Sequence, residues 1–268
     1  EGDAYFPAGW HEEEVTSISD DDVQVMNADG TPKLDEITPV VNAFDTYALE
    51  MAARFKEAHG GSVTVLTVGG EGAVPALRSC LAVGADRACR LADESACDTQ
   101  GIAYLLAQAS KKAGEQPFDV IFCGSESTDA SSAQVGAQVA ELLGLPVITN
   151  VLALEPKDGG ISAKQETEDG YRVVEAPCPC VVTIVKPDYE PRYPSIKSKM
   201  AARKMPITDL SLADVEADAG KFGPEAAKVR RVALSAPPQR QSGVKIQEKE
   251  AAEAVRRAME LMAGQKLI

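Results

Sequence analysis

The chain has 268 residues, of which 44% are hydrophobic, and it carries a formal net charge of −14 at pH 7. No signal peptide opens the sequence and no apolar run reaches the roughly 20 residues of a membrane-spanning helix, so we expect a soluble globular protein of the cytoplasm. The negative charge argues against nucleic acid or anionic lipid as a partner of the whole surface, and it favours partners with basic patches.

The six cysteines and two histidines show neither a CxxC pair nor a His-based metal spacing, so no metal site is predicted. Cys178-Pro-Cys180 leaves two interpretations open, a redox or metal pair or the start of a buried strand. The apolar run over residues 181–185 that follows it favours the strand.

Residues 1–34 are acidic and interrupted by turn residues, and they contain no long apolar run. They are predicted to form a peripheral segment. Because Glu1 is not an initiator methionine, we expect the sequence to begin inside a longer gene product or after processing.

Helical and strand patterns alternate from Asn42 onward. Phe44, Ala48, Met51 and Phe55 share one face of a helix that is predicted to reach about Ala58. A β-branched strand follows over residues 62–68 and ends at Gly69 and Gly70, which either bring the backbone close to a ligand or form an ordinary turn. Further helices are predicted over residues 73–83 and 96–113, with a short strand over residues 88–91 between them.

The stretch 119–143 combines a strand, a polar loop and a helix. Residues 120–123 are apolar, and Val135, Val139, Leu142 and Leu143 fall on one helix face. The loop brings hydroxyls and free backbone N–H groups to the N-terminus of this helix, which is an arrangement that attracts phosphate. The alternative is that Ser131 or Ser132 only caps the helix.

This alternation predicts a doubly wound parallel α/β sheet. Three short runs over residues 152–174 with glycine-containing turns predict an antiparallel meander at its edge. The prolines of residues 186–194 predict an extended surface loop. The α/β domain is predicted to cover residues 35–232. Residues 233–268 are predicted to form an extended C-terminal arm and an amphipathic helix. The apolar face of this helix packs either on a partner subunit or on the chain's own domain.

Three stretches resemble the beta subunit of electron-transfer flavoproteins: Ala-Val-Gly-Ala-Asp-Arg at 82–87, Asp-Ala-Ser-Ser-Ala-Gln-Val-Gly at 129–136, and Glu-Pro-Arg-Tyr-Pro-Ser-Ile at 190–196 before Met-Ala-Ala-Arg-Lys at 200–204. The resemblance covers roughly residues 35–268. It implies an adenine-nucleotide alpha hydrolase-like domain and an alpha subunit that carries FAD. The family also opens with a buried strand and a Lys-Gln-Val-Pro-Asp type loop, and residues 1–34 contain neither, which indicates a truncated or divergent N-terminus.

The resemblance also implies the site residues. The nucleotide contacts fall on the start of the first helix, on the end of the following strand and on the polar loop: Asn42, Ala43, Phe44, Asp45, Val68, Gly69, Gly124, Ser125, Glu126, Ser127, Thr128, Asp129, Ala130, Ser131, Ser132, Ala133, Gln134 and Val135. Ile196 stands where the family has a leucine that docks acyl-CoA dehydrogenases, and the basic residues Lys197, Lys199 and Arg203 accompany it.

Gln-Val-Gly at 134–136 and the C-terminal arm resemble the electron-bifurcating branch, in which this subunit holds a second FAD. NADH would be the electron donor there, and ferredoxin or flavodoxin and an acyl-CoA dehydrogenase would be the acceptors, with the flavin rather than a side chain carrying the redox chemistry. The alternatives are a subunit that holds structural AMP and a nucleotide-sensing module without a redox role.

Overall fold

A computed structural model describes residues 3–9, 40–96, 98–114, 117–128, 130–229, 232 and 243–267. The chain divides into two compact units, Glu1–Ala233 and Leu234–Ile268. Among the helices of these described ranges, none is both long enough and apolar enough to cross a membrane.

The described part of the first unit is built on a nine-stranded sheet. Its strands are β1 (Asp3–Gly9), β2 (Ser62–Val68), β3 (Arg87–Leu91), β4 (Val120–Gly124), β5 (Val147–Lys157), β6 (Gly160–Thr167), β7 (Gly170–Pro177), β8 (Cys180–Ile184) and β9 (Ile207–Leu210). They lie side by side in the order β7-β6-β5-β8-β4-β1-β2-β3-β9. The seven strands β5-β8-β4-β1-β2-β3-β9 pair in parallel with their neighbours. The two remaining pairs, β5 with β6 and β6 with β7, are antiparallel.

The described part of this unit has five α-helices: α1 (Ala43–His59), α2 (Val74–Val83), α3 (Thr99–Ala113), α4 (Val135–Leu143) and α5 (Ile196–Ala202). Successive strand residues point to opposite faces of the sheet. Val63 and Val65 accordingly join a core with α1 and α2, whereas Leu66 and Val68 join a second core with α3 and α4. Helices therefore cover both faces, and the predicted doubly wound α/β fold with an antiparallel edge meander is confirmed.

The N-terminal strand corrects the sequence-based interpretation. β1 pairs in parallel with β2 along all seven residues and with β4 at Ala4 and Tyr5. The prediction of a peripheral segment is therefore wrong for Asp3–Gly9, while residues 10–34 lie outside the described ranges. This strand was not predicted because Pro7 has no N–H group to donate to a neighbouring strand, and a proline therefore argues against a central strand.

One helix boundary and one strand also differ from the prediction. Helix α3 begins at Thr99 rather than near residue 96, because the Asp98 carboxylate caps it by accepting a 2.8 Å hydrogen bond from the Gly101 N–H. The four-residue edge strand β9 was not predicted. The predicted strand start at the Cys178-Pro-Cys180 stretch is confirmed, because β8 begins at Cys180, whose side chain is fully buried.

The second unit contains helix α6 (Ala251–Gly264). Its predicted position over residues 249–263 is confirmed within two residues. The arm that precedes it is described only from residue 243 onward, and residues 243–250 are neither helix nor strand.

Candidate functional site

The predicted nucleotide-binding residues lie at the carboxyl edge of the parallel sheet. β2 ends at Val68 and β4 ends at Gly124, and β1 runs between these two strands. Their ends are therefore separated by two strand spacings, about 10 Å. Crevices at this edge are where open α/β sheets bind ligands.

Asn42 joins the start of α1 to the loop after β4. Its side-chain amide donates to the Glu126 carbonyl over 2.8 Å, and its side-chain oxygen accepts from the Thr128 N–H over 3.1 Å. Asp45 continues the connection, since its carboxylate accepts from the Gly124 N–H over 2.8 Å. Asn42 and Asp45 were predicted as nucleotide contacts, and the structure shows that their side chains hold the loop.

Gly124 is required for this connection. A Cβ atom at this position would lie 2.7 Å from Asp45 Oδ1 and 2.9 Å from the Phe44 carbonyl carbon. Real Cβ contacts are not that short, so the absent side chain makes room for the start of α1.

Asp45 is a carboxylate that has no cationic partner among the described residues. Burial raises its pKa to about 6, although the hydrogen bonds from Gly124 and Asn42 oppose this shift. Its titratable neighbours Cys80 and Cys123 are thiols whose pKa is raised by their own burial, and these remain neutral. The loop is therefore held by hydrogen bonds from uncharged donors to the Asp45 carboxylate, which is about half-protonated at pH 6.

The loop then turns sharply toward α4. The Ser127 carbonyl accepts from the Ser131 N–H over 2.9 Å, and the Ser127 hydroxyl accepts from the Ala130 N–H over 3.3 Å. Ser131 and Ala133 have φ values of 46° and 52°. This left-handed conformation is strained by roughly 1–2 kcal/mol per residue for side chains other than glycine. Asp129 lies outside the described residues.

Helix α4 begins without a side-chain cap. Its N-cap is Gln134, whose side chain makes no capping hydrogen bond. The Gln134 side-chain oxygen instead accepts from the Thr99 hydroxyl over 3.1 Å and from the Gln138 amide over 3.4 Å. The alternative that Ser131 or Ser132 is only an N-cap is therefore wrong. The first N–H groups of the helix lack an intrahelical acceptor and carry the positive end of the dipole.

These features fit a phosphate or another anionic group. An uncapped helix start, next to the half-buried Ser132, offers neutral donors to an anion. Val68 is buried in the core, and the Gly69 N–H donates to the Leu91 carbonyl over 3.0 Å. Val68 and Gly69 can therefore reach a ligand only through backbone atoms.

Gly69 and Gly70 were predicted either to approach a ligand closely or to form an ordinary turn, and the surroundings of Gly70 do not require a ligand. A Cβ atom at Gly70 would overlap the Glu94 carboxylate, only 1.4 Å away. The glycine thus makes room for a side chain of the chain itself.

The predicted docking residues are distant in sequence from the loop after β4. They lie on helix α5 and at its C-terminal end. Ser195 caps this helix by accepting from the Ser198 N–H over 3.0 Å. Ile196, its first residue, is 81% exposed, and the side chains of Lys197, Lys199 and Arg203 are exposed as well. The sequence did not indicate the ion pair between Arg192, which lies just before this helix and is half-buried, and the buried Glu50 of α1.

The described residues offer no cluster of three or more His, Cys, Asp or Glu side chains that could hold a metal ion. The described cysteines, Cys80, Cys89, Cys123, Cys178 and Cys180, are free thiols. Burial raises the pKa of each of them, which disfavours the reactive thiolate.

Comparison with known proteins identifies the family. Residues 35–215 match the family described as electron transfer flavoprotein domain. The chain belongs to the electron transfer flavoprotein family. Electron transport is therefore the process in which it takes part, and the resemblance of residues 82–87, 129–136 and 190–196 to this family is confirmed.

Its relatives in this family carry the name electron transfer flavoprotein subunit beta. The protein of Megasphaera elsdenii is 37% identical over 238 residues, which are 85% of this chain and 88% of the relative. The Bacillus subtilis protein is 34% identical over 229 residues, covering 84% and 86%. The Mycobacterium bovis protein is 31% identical over 267 residues, covering 98% and 96%. A subunit beta implies an alpha subunit as its partner.

Proposed function

We propose that the chain is the beta subunit of a two-subunit electron transfer flavoprotein and that it binds the phosphates of an adenine nucleotide at the start of α4. The observation that carries this proposal is the uncapped N-terminus of α4 behind a strained loop that Asn42 and Asp45 hold in place. Strained backbone persists where the surroundings enforce it, and it concentrates at ligand sites. Gln134, Val135 and the hydroxyl of Ser132 are the groups nearest to the proposed phosphates.

We further propose FAD as this nucleotide, with AMP as the alternative. The support for FAD is the likeness of Gln-Val-Gly at 134–136 and of the C-terminal arm to the electron-bifurcating branch. When bound, FAD would supply the redox chemistry, while the residues of this chain bind and orient it. NADH as donor, ferredoxin or flavodoxin as low-potential acceptor, and a cytoplasmic location belong to the same proposal.

The second candidate function is a scaffold that holds AMP and supports the flavin of the alpha subunit. The described part of the site favours this candidate, because the N–H groups at the start of α4 and the Ser132 hydroxyl are enough to bind a single phosphate such as that of AMP. A third candidate, a nucleotide-sensing module without a redox role, is opposed by the family to which the chain belongs.

The proposed partner of helix α6 is the alpha subunit. None of its residues is buried, and Val255, Met259 and Met262 lie exposed on one side. Arg256 pairs with Glu253 and Glu260 along the helix and gives it a charged side as well. An exposed apolar side of this kind needs a partner surface to cover it. Deleting residues 235–268 should weaken heterodimer formation and leave the α/β unit folded, whereas an intact heterodimer would contradict this assignment.

The proposed docking site for an acyl-CoA dehydrogenase is Ile196 with its basic neighbours. An exposed apolar side chain can anchor a partner, and rim charges raise the association rate. Lys197, Lys199 and Arg203 would attract an acidic patch in spite of the chain's net charge of −14.

The ligands of the purified heterodimer test the proposed cofactor. The protein is denatured, and the released nucleotides are separated and counted per heterodimer. Two FAD molecules support the bifurcating subunit, whereas one FAD and one AMP support the scaffold. A heterodimer without flavin contradicts both.

A further inference from the structure

The docking segment, defined here as residues 189–205, is attached to helices α1 and α2 at three points. At its start, the Tyr189 ring lies under the Arg54 guanidinium of α1, with 4.0 Å between the guanidinium carbon and the ring centroid. In its middle, Arg192 pairs with Glu50 and Glu57 of α1. At its end, Arg78 of α2 donates to the carbonyls of Ala202 and Met205.

Arg192 makes the most extensive of these attachments. Its backbone N–H and its Nε both donate to Glu50 Oε2, over 3.0 and 2.8 Å. Its two terminal nitrogens donate to the two carboxylate oxygens of Glu57, and one of them also reaches Glu50 Oε1 over 3.2 Å. A planar guanidinium is therefore fixed in position and orientation by two carboxylates that lie seven residues apart on one helix.

The central carboxylate of the network is buried. The Glu50 side chain is 3% exposed, and it also accepts from Arg54 Nε over 2.6 Å. Burial alone would raise its pKa, but the hydrogen bonds from Arg192 and Arg54 overcome this effect and lower it. The ion pair is therefore formed over the whole neutral pH range.

The side chains between the attachments point outward. Tyr193 is 94% exposed, Ile196 is 81% exposed and Met200 is 59% exposed. The chain is thus fixed at Arg192 and at residues 202–205, while the apolar side chains between these points are accessible to a partner.

We propose that Arg192, through its ion pairs with Glu50 and Glu57, is a positioning residue that fixes the docking segment in the conformation that presents Ile196 to the acyl-CoA dehydrogenase. This inference rests on the proposed docking function. A segment that is ordered before binding loses less conformational freedom on association, so the affinity for the partner is higher. The role requires arginine, because a lysine ammonium cannot bridge two carboxylates with a fixed planar fork.

The principal test is Arg192→Lys in the heterodimer, which keeps the charge and removes the fork. We expect the KM for an acyl-CoA dehydrogenase that accepts electrons from the unmodified protein to rise about tenfold, with kcat and bound nucleotide unchanged. Amide hydrogen exchange in residues 193–200 should become faster, and this readout does not depend on activity. Glu57→Gln weakens only the exposed half of the network, so it should give a smaller change in the same direction without endangering the fold.

Arg90→Lys is the matched control. Arg90 on β3 also bridges two carboxylates, Glu71 and Asp209, over 2.7 and 2.8 Å, and none of these three residues belongs to the docking segment. It should reduce stability without changing the KM for the dehydrogenase. An equal rise of the KM in Arg90→Lys would mean that general destabilisation causes the effect, and the proposal would be overturned.

Ile196→Ala separates this inference from the docking function on which it rests. If Arg192 acts by placing Ile196, the effects of Arg192→Lys and Ile196→Ala on the KM are less than additive in the double variant. A KM that responds to Ile196→Ala and not to Arg192→Lys and Glu57→Gln overturns the positioning role alone. A KM that responds to none of them overturns the docking function itself.

Discussion

Helix α1 holds the loop after β4 and the docking segment with two carboxylates that lie five residues apart and whose pKa values shift in opposite directions. Asp45 holds the loop after β4, the proposed phosphate site, by accepting hydrogen bonds from neutral donors, and burial raises its pKa to about 6. Glu50 holds the docking segment by accepting from Arg192 and Arg54, and these bonds lower its pKa in spite of burial. The difference shows that burial destabilises a carboxylate unless cations compensate for it.

The two carboxylates also give the two regions different responses to pH. The loop at the proposed nucleotide site is held by hydrogen bonds to its backbone groups, and protonation of Asp45 alters them under mildly acidic conditions. The docking segment is held by ion pairs that persist until the carboxylates protonate at lower pH. We therefore expect the two regions to respond separately to mutation and to pH.

Arg192→Ala should give the largest change. It leaves the Glu50 carboxylate buried with only Arg54 as a partner. Because Arg192 is itself one-third exposed, we expect the free energy of unfolding to fall by about 3 kcal/mol at pH 7, the low end for breaking a buried pair. Urea denaturation monitored by circular dichroism measures this loss. Because Arg54 still pairs with Glu50, a loss below about 1 kcal/mol would show that Arg54 compensates for the missing partner and that the ion pairs are less important than proposed.

Asp45→Asn should change how stability depends on pH. The folded protein holds the Asp45 proton more tightly than the unfolded chain does, so this group stabilises the fold below about pH 4, and the contribution disappears as the pH rises through about 6. The amide keeps an oxygen for the Gly124 N–H and does not ionise. Relative to the unmodified protein, the variant should therefore gain stability between about pH 4 and 6, by at most about 3 kcal/mol.

The measurement is a series of denaturation curves from pH 2 to 8, with Glu50→Gln as the counterpart. Glu50 has a lowered pKa, so its contribution is present above about pH 4.5 and is lost as the pH falls. Glu50→Gln should consequently lose stability at neutral pH and approach the unmodified protein at acidic pH. Parallel pH profiles for both variants would contradict the contrast between the two carboxylates.

Gly124→Ala should give the next largest change in stability. The added methyl would meet backbone atoms of Phe44 and Asp45 within 2.9 Å, and such overpacking is expected to destabilise by about 1–3 kcal/mol. Gly72→Ala is the matched control, because nothing lies within 4 Å of a Cβ atom there. Thermal denaturation should separate the two variants clearly. Equal melting temperatures would mean that the close approach of α1 to the loop is unimportant.

Most of the fold could be predicted from the sequence because its signals are local. The apolar faces of α1 and α4 and the β-branched run of β2 repeat at the helix and strand periods. β1 was missed because Pro7 removes a ladder donor and because its pairing with β2 and β4 depends on distant residues. Position in the sheet is a property of the assembled fold.

The candidate site could be predicted only in part. Resemblance to a family pointed to Asn42, Asp45 and the loop, but their mutual hydrogen bonds join residues about eighty positions apart. The pairing of Glu50 with Arg192 spans 142 positions, and no periodic pattern reports such a partner. The sequence shows only that a glutamate stands between Leu49 and Met51 on a helix that is otherwise apolar at this point.

The most direct test of the account is whether nucleotide binding and docking can be separated in one heterodimer. Ser132→Glu places a negative charge at the positive end of α4, and Ser132→Ala is its uncharged control. Bound adenine nucleotide per heterodimer and the Kd for the acyl-CoA dehydrogenase are measured for these variants and for Ile196→Ala. We predict that Ser132→Glu lowers nucleotide content and leaves the Kd unchanged, while Ile196→Ala weakens the Kd and leaves nucleotide content unchanged. Full nucleotide content in Ser132→Glu, or a loss of nucleotide in Ile196→Ala, would contradict the account.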